Sequence, residues 1–144
     1  MTRVDRTVVT RRLGVISRHV AQLTPHATLS LDEYRADPAR RGAIERALQV
    51  SLEATLDVCK HLLRVLGVPR PKDAFDVIIA AGTAGVMPGA LAEALAPAAG
   101  LRNRLVHEYD DLDDAKVHAS IRVAVRLLPQ FAAAVERYLD DPSR

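Results

Sequence analysis

Apolar residues recur every three or four positions over most of this chain, and that spacing constrains its fold more than any other feature. One stripe near the amino terminus comprises Val9, Leu13, Ile16, Val20 and Leu23. A second, near the carboxyl end, comprises Val117, Ile121, Ala124, Leu128, Phe131, Val135 and Tyr138. Because an α-helix turns once in about 3.6 residues, this spacing lines apolar side chains along one side of a helix. Strand-like alternation of useful length does not appear, so the sequence predicts an all-α fold.

Capping residues and turn formers divide the chain into four or five main helices. Ser30 followed by Glu33 is a capping box, which predicts a short helix there. Asp37 before Pro38 is a second helix start, and Gly67 suits the position of positive φ that ends a helix. The predicted helices span residues 4–23, a short stretch after 30, 38–66, 72–81, 90–96, 97–107, and from Asp113 or Asp114 to 139. The longest should bury Ile44, Leu48, Leu52, Cys59, Leu62 and Leu66.

Length and composition limit the class of protein. A chain of 144 residues with 49% apolar and 26% charged residues fits a single domain, residues 1–144. Since the connections are short, neighbouring helices should pack as an antiparallel bundle. One cysteine excludes an internal disulfide framework and a cysteine-rich zinc module. We therefore expect a reduced, cytoplasmic protein. The five histidines show no metal-ligand spacing with one another or with the cysteine, so we expect no metal site, and we expect no cofactor.

Neither a membrane nor a strongly basic surface is indicated. The longest uncharged stretch, residues 77–92, is short and contains glycine and proline, so we expect no membrane segment. The arginine-rich amino terminus lacks the apolar segment of a signal peptide. A net charge of +2 is too mild to indicate a nucleic-acid binder by itself.

One segment, residues 100–111, concentrates chemically useful side chains. Arg102 can hold a phosphate or stabilise developing negative charge, and His107 can transfer a proton near neutral pH. Asn103, four residues before His107, could hydrogen-bond the imidazole and fix its tautomer. Tyr109 completes the group. These residue types suffice for phosphodiester chemistry without a metal, although a purely structural network fits them as well.

Helical geometry restricts how Arg102 and His107 could cooperate. Five residues turn a helix by about 500°, so the two would point about 140° apart on one straight helix. Either the helix ends before His107, or the two groups meet across a boundary between subunits. Elsewhere, Glu53 and Asp57 lie four residues apart; they form a solvated ridge assisted by Lys60 and Arg64, or they face the site.

The run from Arg102 to Tyr109 resembles the Arg-x-x-x-x-His-x-Tyr signature of the HEPN superfamily, in the form found in HepT-like toxins. The resemblance extends from about Leu31 to the last helix. It implies a HEPN-like helical bundle, a homodimer, and a metal-independent ribonuclease site between the protomers. Arg102 and His107 match the catalytic pair of the family.

The same resemblance implies a regulatory partner. HepT-like toxins pair with a MntA-like nucleotidyltransferase antitoxin that transfers AMP from ATP to the motif tyrosine, here Tyr109. An adenylate at this position would add charge and bulk where the RNA phosphate must lie. The function expected is thus an RNase toxin that cleaves tRNA or mRNA and is neutralised by AMPylation. Two other readings remain open: a HEPN module that binds nucleotides or a partner without cutting, and a structural adaptor.

Overall fold

The computed structural model describes residues 3–107 and 113–141, with 102–107 described by their backbone alone. The described parts are helical apart from their connections and contain no strand, so the predicted all-α class is confirmed. A 3-10 turn, Thr24–His26, follows the first helix. The helices are α1 Arg6–Leu23, α2 Leu31–Ala36, α3 Pro38–Val65, α4 Ala74–Thr83, α5 Gly89–His107 and α6 Asp114–Asp140.

The helix starts are set by the side chains that the sequence indicates. Ser30 and Glu33 form the complete capping box, each side chain accepting from the backbone N–H of the other. Asp37 accepts from Arg40 N–H at 3.1 Å, ahead of Pro38 in the first turn of α3. Gly67 has φ of 72° and reverses the chain after α3.

The middle of α3 forms the centre of the molecule. α1, α4, α5 and α6 all pack against this helix. Its buried side chains therefore extend well beyond a single stripe: Leu52, Ala54, Leu56, Val58 and Cys59 are each no more than 2% exposed. Two buried hydroxyls lie among them. Ser51 donates to the Leu48 carbonyl at 3.1 Å and Thr55 to the Ser51 carbonyl at 2.8 Å, so neither is left without a partner.

Cys59 lies within this core with no exposed surface. Burial raises the pKa of its thiol to about 12, because the thiolate would lose its hydration there. The residue behaves as a small apolar side chain. Within the described part of the chain, no helix has the length and hydropathy needed to cross a bilayer.

Two predictions about local structure are wrong. Residues 90–96 and 97–107 form a single helix, α5, with Pro97 inside it. An internal proline costs about 3 kcal/mol, and burial of Leu95, Ala96 and Ala99 on the same helix offsets that cost. Leu66 is 44% exposed because α3 ends at Val65 and the chain turns away at Gly67.

α4 and α5 make an unusually close contact. A Cβ atom at Gly82 would lie 2.6 Å from the Cβ of Ala92 and 3.7 Å from the Cα of Gly89. The connection between the helices, residues 84–88, is short enough to make them antiparallel neighbours. Gly85, with φ of 86°, turns the chain there.

Replacement of Gly82 by alanine should therefore destabilise the protein. The added methyl group has no room and should cost about 1–3 kcal/mol of unfolding free energy, as overpacking does in other cores. Gly42→Ala is the matched control, since nothing lies within 4 Å of a Cβ at that position in α3. The control should gain about 0.5–1 kcal/mol through helix propensity. Urea unfolding measures both; equal stability of the two variants would contradict this packing.

Candidate functional site

The backbone of α5 excludes one of the two arrangements considered for Arg102 and His107. α5 is continuous through both residues, so a helix that ends before His107 is excluded. The two positions are therefore about 140° apart around one helix axis. Asn103 and His107 lie within one turn, as the predicted hydrogen bond requires, but that bond stays a prediction because neither side chain is described. Tyr109, in residues 108–112, lies outside the described residues.

Helical register assigns the two positions to different sides of α5. Arg102 follows Leu91 by eleven residues, so the two share a register to within about 20°. Leu91 borders a groove with Leu127 of α6. His107 follows Gly89 by eighteen residues, which is five full turns. Gly89 faces Gly82 of α4. By register alone, the backbone position of Arg102 is therefore on the side of α5 that faces α6, and that of His107 is on the side that faces α4.

A shallow groove between α5 and α6 reaches Gly100 and Leu101, just before Arg102 in the chain. Its volume is about 510 Å³. Small side chains keep it open, and Lys116 is its one charged lining residue among those described. The lining residues are Ala94, Pro97, Ala98, Gly100, Leu101, Lys116, Ala119, Ser120 and Val123. The Ser120 hydroxyl donates to the Lys116 carbonyl at 2.8 Å and is already engaged.

The start of α6, which follows residues 108–112, is held by hydrogen bonds and ion pairs. The Asp113 carboxylate accepts from the backbone N–H groups of Ala115 and Lys116, at 3.0 and 3.3 Å. Asp114 lies between two guanidinium groups, Arg35 of α2 at 3.4 Å and Arg41 of α3 at 3.7 Å. Contacts with α2 and α3 therefore hold the start of α6.

Tyr34, in α2, makes a buried polar contact with Glu45 of α3. Tyr34 has no exposed surface, and its hydroxyl donates to Glu45 Oε1 at 3.3 Å. Its ring packs 5.9 Å from the ring of His118, whose Nε2 is 2.6 Å from the Leu29 carbonyl. Burial raises the pKa of Tyr34 and also that of Glu45; for Glu45 the hydrogen bond from Tyr34 opposes the shift.

On the α3 ridge, Asp57 is exposed, as the solvated-ridge interpretation predicts, but its ion-pair partner is a different residue. Asp57 pairs with Arg12 of α1 at 3.6 Å, rather than with Lys60 or Arg64 of its own helix. His61 accepts from Asp5 N–H at 3.0 Å. These contacts join α3 to α1. Glu53 is partly buried and accepts from Gln49 at 3.5 Å. Among the described residues, no group of three His, Cys, Asp or Glu side chains could hold a metal ion.

Comparison with known proteins gives a consistent family. A family model described as "Ribonuclease HepT-like" matches residues 16–136. The chain is 33% identical over 139 residues to a protein named tRNA nuclease HepT, from Aphanizomenon flos-aquae (strain 2012/KM1/D3). That match covers 96% of this chain and 95% of the relative.

Solved structures share the fold. A cytosolic protein of unknown function from Bacillus subtilis, YutE, matches with a TM-score of 0.83 and 18% identity, covering 97% of this chain and 94% of that one. A tri-AMPylated HEPN toxin from Shewanella oneidensis, in complex with MNT antitoxin, matches with a TM-score of 0.77 and 19% identity. Coverage there is 94% of this chain and 99% of that one. The predicted HEPN-like bundle is confirmed.

The contact between Tyr34 and Glu45 should depend on pH. Tyr34→Phe removes the donor that favours the Glu45 carboxylate, so the pKa of Glu45 should rise further. The loss of unfolding free energy should be about 1 kcal/mol. It should be largest at pH values above the pKa of Glu45, where the carboxylate accepts the hydrogen bond, and should shrink as the pH falls and Glu45 becomes protonated. Carboxyl NMR titration and urea unfolding measure the two effects. In a Glu45→Gln background the same substitution should cost less; an equal cost would show that the hydroxyl acts elsewhere.

Proposed function

This chain belongs to the HepT-like ribonuclease family, and on that basis we propose that it is a metal-independent endoribonuclease toxin of a toxin–antitoxin pair. The matched region, residues 16–136, includes the entire Arg102–Tyr109 signature. The relative named tRNA nuclease HepT aligns over nearly the full length of both chains. We therefore infer an RNA substrate, with tRNA as the first to test.

The observation that carries the proposal is the continuity of α5 through Arg102 and His107. Two residues about 140° apart on one helix do not converge on one phosphate. In a twofold dimer, each protomer presents the same surface to its partner, so Arg102 of one copy can approach His107 of the other. The proposed active site is thus composite and occurs twice in a homodimer.

The chemistry follows from the two side chains. RNA carries a 2′-hydroxyl next to each phosphate. His107 removes the proton as the 2′-oxygen attacks phosphorus, or protonates the 5′-oxygen as the phosphorus–oxygen bond breaks. Arg102 stabilises the charge on the non-bridging oxygens. The products are a 2′,3′-cyclic phosphate and a 5′-hydroxyl, and no metal ion takes part.

Asn103 and Tyr109 have supporting roles in this proposal. Asn103, one turn before His107, orients the imidazole. Tyr109 is the site at which a MntA-like nucleotidyltransferase antitoxin attaches AMP. The solved complex of an AMPylated HEPN toxin with MNT antitoxin, which has the same fold, supports this kind of partner. A phosphodiester-linked adenylate two residues from His107 would occupy the place of the RNA phosphate.

Cleavage of tRNA by the wild-type homodimer in EDTA tests the activity. We expect Arg102→Ala and His107→Ala each to lower the rate at least about 100-fold. A purified heterodimer of the two variants contains one intact composite site, and should recover about half of the wild-type activity per dimer. Circular dichroism and sedimentation verify that every variant keeps its fold and its dimer.

Each negative result has a distinct meaning. A heterodimer as inactive as its parents would place Arg102 and His107 of each site in one protomer. Activity that returns only when Mg²⁺ is added would contradict the metal-independent mechanism. Nucleotide binding by a wild type that cleaves nothing would indicate a binding module instead of a nuclease.

Modification by the antitoxin makes a separate prediction. Incubation of the chain with the cognate nucleotidyltransferase and ATP should add AMP, which intact-mass analysis detects, and should abolish RNA cleavage. Tyr109→Phe should receive no AMP at that position and should remain active in the presence of antitoxin and ATP. Peptide mapping locates the adenylate; AMP on Tyr138 instead would contradict the assignment.

A further inference from the structure

Phe75 is exposed, unlike the other described aromatic residues of this chain. Its surface is 43% exposed, whereas Tyr34 and Phe131 have none and Tyr138 is partly buried. Phe75 lies in the first turn of α4, where its exposed sequence neighbours Lys72, Asp73 and Asp76 are charged. An exposed ring loses the hydrophobic stabilisation that burial would give it, so its position raises the question of what it binds.

The register of α4 places Phe75 on the side that faces α5. Phe75 precedes Gly82 by seven residues, which is within about 20° of two full turns. Gly82 lies against Ala92 and Gly89 of α5, with no room for a Cβ atom between them. Because the two helices are antiparallel, seven residues back along α4 correspond to about seven residues forward along α5. Phe75 is therefore level with residues 97 and 98.

From that level, Phe75 leans towards the proposed active site. Side chains on a helix tilt towards its amino terminus, and the amino terminus of α4 points along α5 in the direction of Arg102. Asn103 is roughly 8 Å further along α5 and His107 roughly 14 Å, at 1.5 Å per residue. α4 begins at Ala74, so this helix does not cover the His107 side of α5 beyond that level.

We propose that Phe75 is a stacking platform for an unpaired RNA base next to the cleaved phosphate. This inference rests on the proposed ribonuclease function and names a substrate-binding residue for it. Aromatic side chains bind single-stranded RNA by stacking on bases, with cationic side chains nearby for the phosphates. Arg70 and Lys72 supply that charge, since both are exposed just before Phe75 in the chain.

The surroundings favour a nucleic-acid base over a protein surface. Contiguous apolar patches mark surfaces that bind proteins, whereas Phe75 is a single exposed ring close in sequence to Lys72, Asp73 and Asp76. The Asp73 carboxylate accepts from the Asp76 backbone N–H at 3.2 Å and so caps the amino end of α4. An exposed flat ring suits a base, and Arg70 and Lys72, which come just before it in the chain, suit the phosphates on either side of that base.

The chain contains no tryptophan, which makes a direct test possible. Phe75→Trp places a single fluorophore at the platform, and a base stacked on it should quench the emission. The probe is a single-stranded 2′-O-methyl oligonucleotide, which lacks the attacking hydroxyl and is not cleaved. Leu66→Trp is the matched control, because Leu66 is 44% exposed and lies at the carboxyl end of α3. Saturable quenching in Phe75→Trp and none in Leu66→Trp is the expected result.

Kinetics with a cleavable oligonucleotide give an independent measure. Phe75→Ala should raise KM about tenfold with little change in kcat, whereas Phe75→Trp and Leu66→Ala should retain the wild-type KM. An unchanged KM in Phe75→Ala, or equal quenching in both tryptophan variants, would overturn the proposal. Loss of the dimer or of antitoxin binding in Phe75→Ala, with KM unchanged, would assign the ring to a protein partner instead. If the wild type does not cleave RNA, the proposed ribonuclease function is wrong. The quenching experiment still shows whether RNA bases stack at position 75.

Discussion

Burial of the middle of α3 on nearly all sides is the constraint on which the rest of the molecule depends. A helix whose side chains are enclosed all round must be wrapped by other helices, and α1, α4, α5 and α6 supply that cover. With α3 packed in this way, the polar groups on its exposed edge and near its ends have fixed neighbours. Asp57 and His61 meet α1, and Arg41 meets the first residue of α6. α3 thus helps to fix the positions of α5 and α6, the two helices that precede and follow residues 108–112.

Much of this fold was predictable from local sequence. The caps at Ser30 and Asp37 and the reversal at Gly67 depend on residues within four positions of one another, and each is as the sequence predicts. Pro97 misled the prediction because its cost is a local quantity, while the burial that offsets it comes from helices distant in sequence. Leu66 fits the apolar spacing of α3 but lies just after the helix ends.

The candidate site divides in the same way. The signature from Arg102 to Tyr109 is contiguous, so the sequence identifies it directly. The contacts that hold the start of α6 join residues widely separated in the chain: Arg35 and Asp114 are 79 positions apart. No spacing rule reveals such pairs. Phe75 was missed for a related reason, since exposure of an aromatic residue depends on where the neighbouring helix lies.

The start of α4 has a consequence for how the family can diversify. By helix register, α4 runs alongside α5 from Gly89 to about residue 98 and does not itself extend further towards His107. Each turn added at the amino end of α4 would extend that cover by about 5 Å, and two or three turns would close the approach to His107. The length of α4 should therefore limit the size of a substrate that can reach His107. Relatives with a longer or shorter α4 should differ in the size of the RNA structure that they accept.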